Sequence, residues 1–156
     1  MKKVQDHYFH KARKDGYVAR SAYKLEEIDQ RHQLLKRGQK VLDLGCAPGS
    51  WLQYTSSCIG ESGRLLGIDL QAVAISLPPQ VEVLQADIYE LDRSGAWWES
   101  PFDVILSDMA PKTTGIRSAD ADRSYGLNQH ALWLAEQHLS KGGCLLVKAF
   151  QGAPFQ

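Results

Sequence analysis

Five short apolar runs are separated along the chain by longer segments of mixed polarity. Nearly continuous apolar character is typical of strands that are buried on both faces of a parallel sheet. Alternation of such runs with helix-length segments predicts an α/β fold with a doubly wound, mostly parallel sheet. The predicted strands are Val41–Leu44, Leu65–Leu70, Val81–Leu84, Phe102–Leu106 and Cys144–Val147.

Helical spacing of apolar side chains predicts two helices near the ends of the chain. The first begins at Ser21, a candidate N-cap, and ends at Lys36 before the glycine at position 38. The second runs from Tyr125 to Leu139 and ends before Gly142 and Gly143. We expect these helices to cover the apolar strands.

The segment before the second helix, Met109–Ser124, is polar and shows no periodicity. It is therefore predicted to be a long loop. Loops of this length inside a compact domain are often functional.

The length of 156 residues predicts a single domain. We divide it into a basic arm (1–20), a first helix (21–36) and an α/β core (40–150). The net charge of zero hides an asymmetry, because residues 1–40 hold 11 Lys/Arg against 5 Asp/Glu and residues 41–156 hold 7 against 13. A basic arm on an acidic body favours an anionic partner, although a solvated charged tail is the simpler interpretation of this feature alone.

Several classes of protein are excluded by what the sequence lacks. No segment approaches the roughly 18 apolar residues of a membrane span, and the N-terminus does not resemble a secretory signal. The three cysteines, Cys46, Cys58 and Cys144, have no paired spacing, so a reducing cytoplasm is the expected location. His7 and His10 are three residues apart, but no third ligand follows at a fixed spacing, so no metal site is expected.

The turn Gly45–Trp51 follows the first strand directly, where α/β sheets bind nucleotides. Ala47 and Ser50 occupy the second and third glycine positions of the dinucleotide fingerprint, so no phosphate cradle is evident. Asp69 ends the next strand and can meet the ribose of a nucleoside, and Asp87 follows the third strand and can meet the adenine end. S-adenosylmethionine fits this pattern, because it is a nucleoside without phosphate and its sulfonium suits an acidic pocket. Glycine turns with a purely structural role are the alternative.

Three further residues are candidates for chemistry. Asp108 follows the fourth strand, Lys148 ends the last strand, and Lys24 lies on the first helix beside its apolar stripe. Each has a structural alternative: a turn or helix cap, a lysine reaching solvent at the sheet edge, and an ordinary helical lysine. The combination of all three around a nucleoside pocket favours a catalytic site.

Four motifs in order resemble the FtsJ/RrmJ family of S-adenosylmethionine-dependent RNA 2′-O-ribose methyltransferases. They are RSAYKL (20–25), VLDLGCAPGSW (41–51), SDMAP (107–111) and VK (147–148). The similarity extends from about Asp6 to Phe150 and is greatest to the ribosomal RNA large-subunit branch. It implies a Rossmann-like class I methyltransferase fold and a cytoplasmic monomer that acts on ribosomal RNA or a ribosomal particle.

The resemblance also assigns roles to individual residues. Lys24, Asp108 and Lys148 match three of the family's four catalytic positions. The cofactor contacts fall on five residues: Gly49, Trp51, Asp69, Asp87 and Asp108. The fourth catalytic residue is a glutamate on a later strand, whereas the last acidic residue here is Glu136. The family's final strands are also missing after Phe150, so the resemblance indicates a truncated or divergent member.

The implied reaction is an in-line attack of a ribose 2′-hydroxyl on the sulfonium methyl. Lys148 would remove or share the hydroxyl proton, Asp108 would orient Lys148 and contact the cofactor, and Lys24 would hold nearby RNA. Two alternatives remain open from the sequence. One is an RNA-binding pseudo-methyltransferase or inactive fragment, and the other is a methyltransferase for a small molecule or a protein.

Overall fold

The computed structural model describes residues 11, 12, 14–111 and 114–149, without the side chain of Arg117. Within them, five strands form one parallel sheet: β1 (Lys40–Leu44), β2 (Arg64–Asp69), β3 (Val81–Gln85), β4 (Phe102–Ser107) and β5 (Leu139–Val147). Their order is β3-β2-β1-β4-β5, and every neighbouring pair is parallel. The predicted α/β fold with a parallel sheet is confirmed.

In the described part of the chain, three helices of ten or more residues pack on the two faces of this sheet. They are α1 (Ala22–His32), α2 (Ser50–Ile59) and α3 (Arg117–His138). Helices α1 and α2 share one apolar cluster with Val41, Leu65 and Val104, whereas α3 shares the other with Leu42 and Leu66. Successive strand residues thus face opposite layers, so the sheet is buried on both sides.

The order of the strands in the sheet predicts where a ligand-binding crevice lies. The chain moves outward from β1 through β2 to β3, and then crosses back to β4 on the other side of β1. The strand order therefore reverses between β1 and β4. Open α/β sheets bind ligands at the carboxyl ends of the strands that flank such a reversal.

Two connections differ from the predicted alternation of strands and helices. Residues 70–80, between β2 and β3, contain no helix. Residues 86–101, between β3 and β4, contain only the short 3-10 turn Ala96–Trp98. The sheet is thus covered by fewer helices than its strand pattern suggests.

Helix α1 ends four residues earlier than predicted, and its first residue is not capped as expected. Gln33 adopts a left-handed conformation with φ 52°, and its N–H donates to the Asp29 carbonyl. The Asp29 carboxylate accepts the N–H of Leu35 at 2.8 Å, which draws Leu35 out of the helix. Ser21 does occupy the N-cap position, but its side chain makes no cap bond.

Helix α3 begins eight residues earlier than predicted, inside the segment expected to be a loop. The Asp120 carboxylate accepts the N–H groups of Thr114 and Gly115, at 2.7 and 3.2 Å, and so fixes the approach to the helix. The helix continues to His138, and β5 follows at once. Gly142 and Gly143 therefore lie in β5 and do not end the helix.

The amino ends of the strands are closed by a network around Lys40. Its ammonium donates to the carbonyls of Trp97 and Ser100, at 2.7 Å each, and lies 4.6 Å from the centre of the Phe102 ring. The backbone N–H of Lys40 donates to the Asp103 carboxylate at 2.8 Å. This network joins β1 to the connection before β4 at the edge opposite the crevice.

Cys46, Cys58 and Cys144 are all free thiols. No helix in the described part of the chain is long and apolar enough to cross a membrane.

We predict that Asp29 couples α1 to α2. Its second carboxylate oxygen accepts a hydrogen bond from the buried Tyr54 hydroxyl of α2 at 2.9 Å. Asp29→Ala would leave this hydroxyl and the Leu35 N–H without an acceptor, and should lower the free energy of unfolding by about 2–4 kcal/mol. Tyr54→Phe removes only one of these bonds and should cost about 1 kcal/mol. Urea unfolding of both variants checks this, and equal losses would contradict it.

Candidate active site

A cavity of about 550 Å³ opens at the carboxyl ends of the strands. The turns after β1, β2, β3 and β4 and the first half of α3 contribute to its wall. The residues that line it are Gly45, Ala47, Ile68, Asp69, Leu70, Ala86, Asp87, Ile88, Tyr89, Asp108, Met109, Ala110, Pro111, Arg123, Gly126 and Leu127. The cavity therefore lies at the reversal of strand order, where the fold predicts a ligand.

The turns after β1 and β4 touch each other through their backbones. Gly45 has a φ of 78°, and a Cβ placed there would lie 2.9 Å from the backbone nitrogen of Met109. The N–H of Asp108 donates to the Leu44 carbonyl at 3.1 Å. Only glycine permits this approach, and the contact fixes Asp108 relative to the first turn.

Asp69 holds the first turn from the neighbouring strand. Its two carboxylate oxygens accept the N–H groups of Ala47 and Gln71, at 2.9 and 2.8 Å. Each oxygen keeps a further lone pair that can accept a hydroxyl of a ribose diol. Asp87 is held in a similar way, since it accepts the N–H of Tyr89 at 2.9 Å. Both predicted nucleoside contacts thus line the same cavity.

Asp108 and Lys148 form an ion pair at the edge of the cavity. The N–H of Lys148 donates to the carbonyl of Ser107 at 2.9 Å, which continues the β4–β5 ladder past the end of both strands. The backbone thereby presents a carboxylate and an ammonium side by side. Lys148 is about half exposed, with 46% of its side-chain surface accessible, so an incoming substrate can reach it.

Gly49 and Trp51 lie beside the cavity and not among its lining residues. A Cβ on Gly49 would lie 2.7 Å from the side chain of Ile75, so this glycine allows close packing. The indole N–H of buried Trp51 donates to the Ser21 carbonyl at 3.0 Å. In this structure both residues support the turn.

A separate surface groove contains the third predicted catalytic residue. Lys24 is exposed on α1, and the groove is also lined by Lys11, Arg20, Ser21, Tyr23, Glu26, Glu27 and Gln30. The start of α1 is attached to the start of α2, because the Ser21 and Ser50 hydroxyls lie 2.7 Å apart. This link and the Trp51 bond set the position of Lys24 relative to the turn after β1.

The basic arm is described only from residue 11 onward, without Arg13. Its described part packs against the helices, since Gln53 of α2 bonds to both Val18 and Gly16, at 2.9 Å each. The remainder of the predicted arm, with His7 and His10, lies outside the described residues.

The charges around the cavity suit a cation without phosphate. Asp69, Asp87 and Asp108 face one guanidinium, that of Arg123, among the described lining residues. A sulfonium nucleoside such as S-adenosylmethionine fits this set of charges, which includes Asp69 and Asp87, the two carboxylates predicted to contact a nucleoside. Burial raises the pKa of the Cys46 thiol beside the turn, so it stays protonated and structural.

Sequence reasoning missed part of the cavity wall. Arg123, Gly126 and Leu127 line the cavity from α3, in or next to the segment predicted to be a loop. The signal that could have placed them is Asp120, a carboxylate six residues after Thr114. Such a residue is typical near the start of a helix, where it accepts backbone N–H groups.

We predict that Asp69→Ala weakens S-adenosylmethionine binding by roughly 1–3 kcal/mol, because it removes the ribose hydrogen bonds. Asp92→Ala is the matched control, since Asp92 makes the same local bond to the N–H of Ser94 and does not line the cavity. Titration calorimetry with the isolated protein measures both. Unchanged affinity of the Asp69 variant would contradict the assignment.

Comparison with known proteins identifies the family of this chain. Residues 17–156 match the family described as FtsJ-like methyltransferase. Ribosomal RNA large subunit methyltransferase E of Syntrophobacter fumaroxidans is 52% identical over 154 residues, which cover 97% of this chain and 78% of that protein. The protein of that name from Desulfosudis oleivorans is 49% identical over 156 residues, covering 99% of this chain and 75% of the relative.

A solved structure gives the same result for the fold. A Plasmodium falciparum protein described as a ribosomal RNA methyltransferase superposes with a TM-score of 0.76 and is 30% identical, covering 88% of this chain and 80% of that one. Sequence and fold therefore agree on one family. The chain belongs to the FtsJ-like methyltransferases, which use S-adenosylmethionine as the methyl donor.

Proposed function

We propose that this chain transfers a methyl group from S-adenosylmethionine to a ribose 2′-hydroxyl of large-subunit ribosomal RNA. We further propose that it acts as a monomer in the cytoplasm. The observation that carries the proposal is the Asp108–Lys148 ion pair at the edge of a nucleoside-sized acidic cavity. The names of the relatives support ribosomal RNA as the substrate.

The residues at the end of β4 and β5 would perform the proton transfer. When bound, S-adenosylmethionine supplies an activated methyl group, so most of the rate enhancement comes from positioning the acceptor. Lys148 Nζ would first lose one of its protons to solvent, and the resulting neutral amine would then take the proton of the attacking hydroxyl as the methyl group leaves the sulfonium. Asp108 would hold Nζ in place, because its own backbone is fixed by the bond to Leu44.

The groove beside α1 would hold the RNA backbone. Lys11, Arg20 and Lys24 place three cations along one surface, and Lys24 is one helical turn from the Ser21 link to the turn after β1. Phosphate contacts of this kind bind without sequence preference and weaken with salt. Lys24 would then fix the ribose or phosphate near the cavity.

We predict that Lys148→Ala lowers the rate of RNA methylation by roughly 10²–10⁴-fold, the usual contribution of a general base. Affinity for S-adenosylmethionine should stay nearly unchanged, since Lys148 is absent from the described cavity lining. Lys141→Ala, on the same strand and exposed, is the control.

Transfer of labelled methyl to RNA, with calorimetry alongside, measures both properties of these variants. A Lys148→Ala protein with the wild-type rate would mean that this lysine has no part in the reaction. Binding of the cofactor by the unmodified chain without any transfer would instead favour a pseudo-methyltransferase.

We also predict that the double substitution Lys11→Ala and Arg20→Ala weakens RNA binding and its salt dependence. For every phosphate that the variant no longer neutralises, the log–log salt slope should fall by roughly 0.7 for single-stranded RNA or 0.9 for a duplex, borrowing the DNA values. Lys36→Ala, exposed beyond the far end of α1, is the control. Fluorescence anisotropy at several salt concentrations checks this, and an unchanged slope would mean that RNA does not occupy the groove.

A further inference from the structure

A carboxyl group is buried in the middle of β1 without a partner. Asp43 has no exposed surface, and neither of its carboxyl oxygens has a hydrogen-bond partner among the described residues. A buried polar group in this state is costly and rare in folded proteins. The side chain of Asp43 therefore contributes no hydrogen bond to the described part of the fold.

The register of the sheet places Asp43, which is not itself a lining residue, close behind two carboxylates that line the cavity. Asp43 is paired with Gly67 of β2 and Leu106 of β4. Asp69 and Asp108 each follow those partners by two residues, and therefore emerge on the same side of the sheet at its carboxyl edge. Strand rise and spacing give Cα separations of about 8 Å from Asp43 to each.

Within the part of the chain that the structure describes, the surroundings of Asp43 are acidic or neutral. The charged or titratable groups that face it there are Asp69 from β2, Asp108 after β4 and the thiol of Cys46 in the turn. Lys148 lies beyond Asp108 and is paired with it. The space above Gly67, next to Asp43, is filled by the side chains of Cys46 and Leu52. Burial and then the two carboxylates raise the pKa of Asp43 well above its ordinary value.

We propose that Asp43 makes the cavity sensitive to the charge of its ligand: its carboxyl is protonated in the free protein and releases the proton to solvent when S-adenosylmethionine binds. The sulfonium supplies the positive charge that an ionised Asp43 lacks in the free site. The reaction product, S-adenosylhomocysteine, is a thioether without that charge, so Asp43 keeps its proton when the product is bound. Cofactor is thereby favoured over product.

Proton release gives this proposal a direct measurement. Calorimetry in two buffers of different ionisation enthalpy, at one pH near neutrality, counts the protons released on binding. We expect more release with S-adenosylmethionine than with S-adenosylhomocysteine. Sinefungin, which carries an amine in place of the sulfonium, should behave like the cofactor. Equal proton counts for cofactor and product would overturn the proposal.

Asp43→Asn tests the residue itself, because asparagine has the shape of the neutral carboxyl and cannot ionise. The variant should lose the excess proton release, and its preference for cofactor over product should fall roughly tenfold. Affinity of wild type for the cofactor should rise with pH relative to the variant, since binding releases a proton. Asp92→Asn removes one exposed carboxylate away from the cavity and should change neither property. A retained preference in Asp43→Asn would overturn the proposal.

Stability provides a readout that needs no ligand. An acid with a raised pKa binds its proton in the folded state while the unfolded chain has lost it, so stability falls as pH rises above the unfolded value. Asp43→Asn should therefore be more stable than wild type at neutral pH, with the difference vanishing near pH 4. If the variant fails to fold, infrared difference spectra of wild type must show a carboxylic-acid band lost on cofactor binding, and its absence would contradict the proposal. All these measurements omit RNA, so a failure of RNA methylation contradicts only the proposed function.

Discussion

The site depends on the close approach between the turns that follow β1 and β4. Gly45 leaves just enough space for the backbone of Met109, and the bond from Asp108 to Leu44 continues the sheet into this region. All other elements of the site are positioned against it. Asp69 reaches in from one side to hold the first turn, and Lys148 pairs with Asp108 on the other. One backbone contact therefore relates the nucleoside end of the cavity to its reactive end.

A second set of bonds connects this centre to the basic surface. Trp51 and Ser50 begin α2 and bind to Ser21 at the start of α1, while Asp29 and Tyr54 join the same two helices farther along. The two helices thus behave as one layer. This layer fixes the groove that contains Lys24 at a set distance from the turn after β1. The groove proposed to bind RNA and the turn beside the cavity therefore rest on the same pair of helices.

The strands and the carboxylates at their ends could be predicted from the sequence for a simple reason. Apolar runs buried on both faces leave little choice of structure, and residues that follow such runs meet at one edge. Asp69, Asp87 and Asp108 accordingly line the cavity together. The ends of the helices could not be predicted in the same way. At Gln33 and at Asp120, side-chain bonds to the backbone decide where a helix ends or begins, and apolar spacing does not record them.

The sequence also marks Asp43 as unusual, because strand periodicity does not explain a charged residue at this position. A carboxyl group inside the apolar run 41–44 conflicts with burial, and such conflicts are expected at functional sites. For Gly49 and Trp51, in contrast, the sequence pattern predicts a contact with the cofactor that the cavity lining does not include. Their positions match the family pattern, yet in this structure they contact neighbouring elements of the fold and do not line the cavity.

The Lys40 network has a consequence for how the protein can change over time. It closes the amino edge of the sheet, whereas the cavity and the ion pair occupy the carboxyl edge. Five or six residues of strand separate the two regions, so a substitution in one is far from the other. Mutations that strengthen or weaken the Lys40 edge can therefore alter heat tolerance while the chemistry stays the same. The stabilising contacts of Lys40 and the cavity with its ion pair thus lie at opposite ends of the same strands.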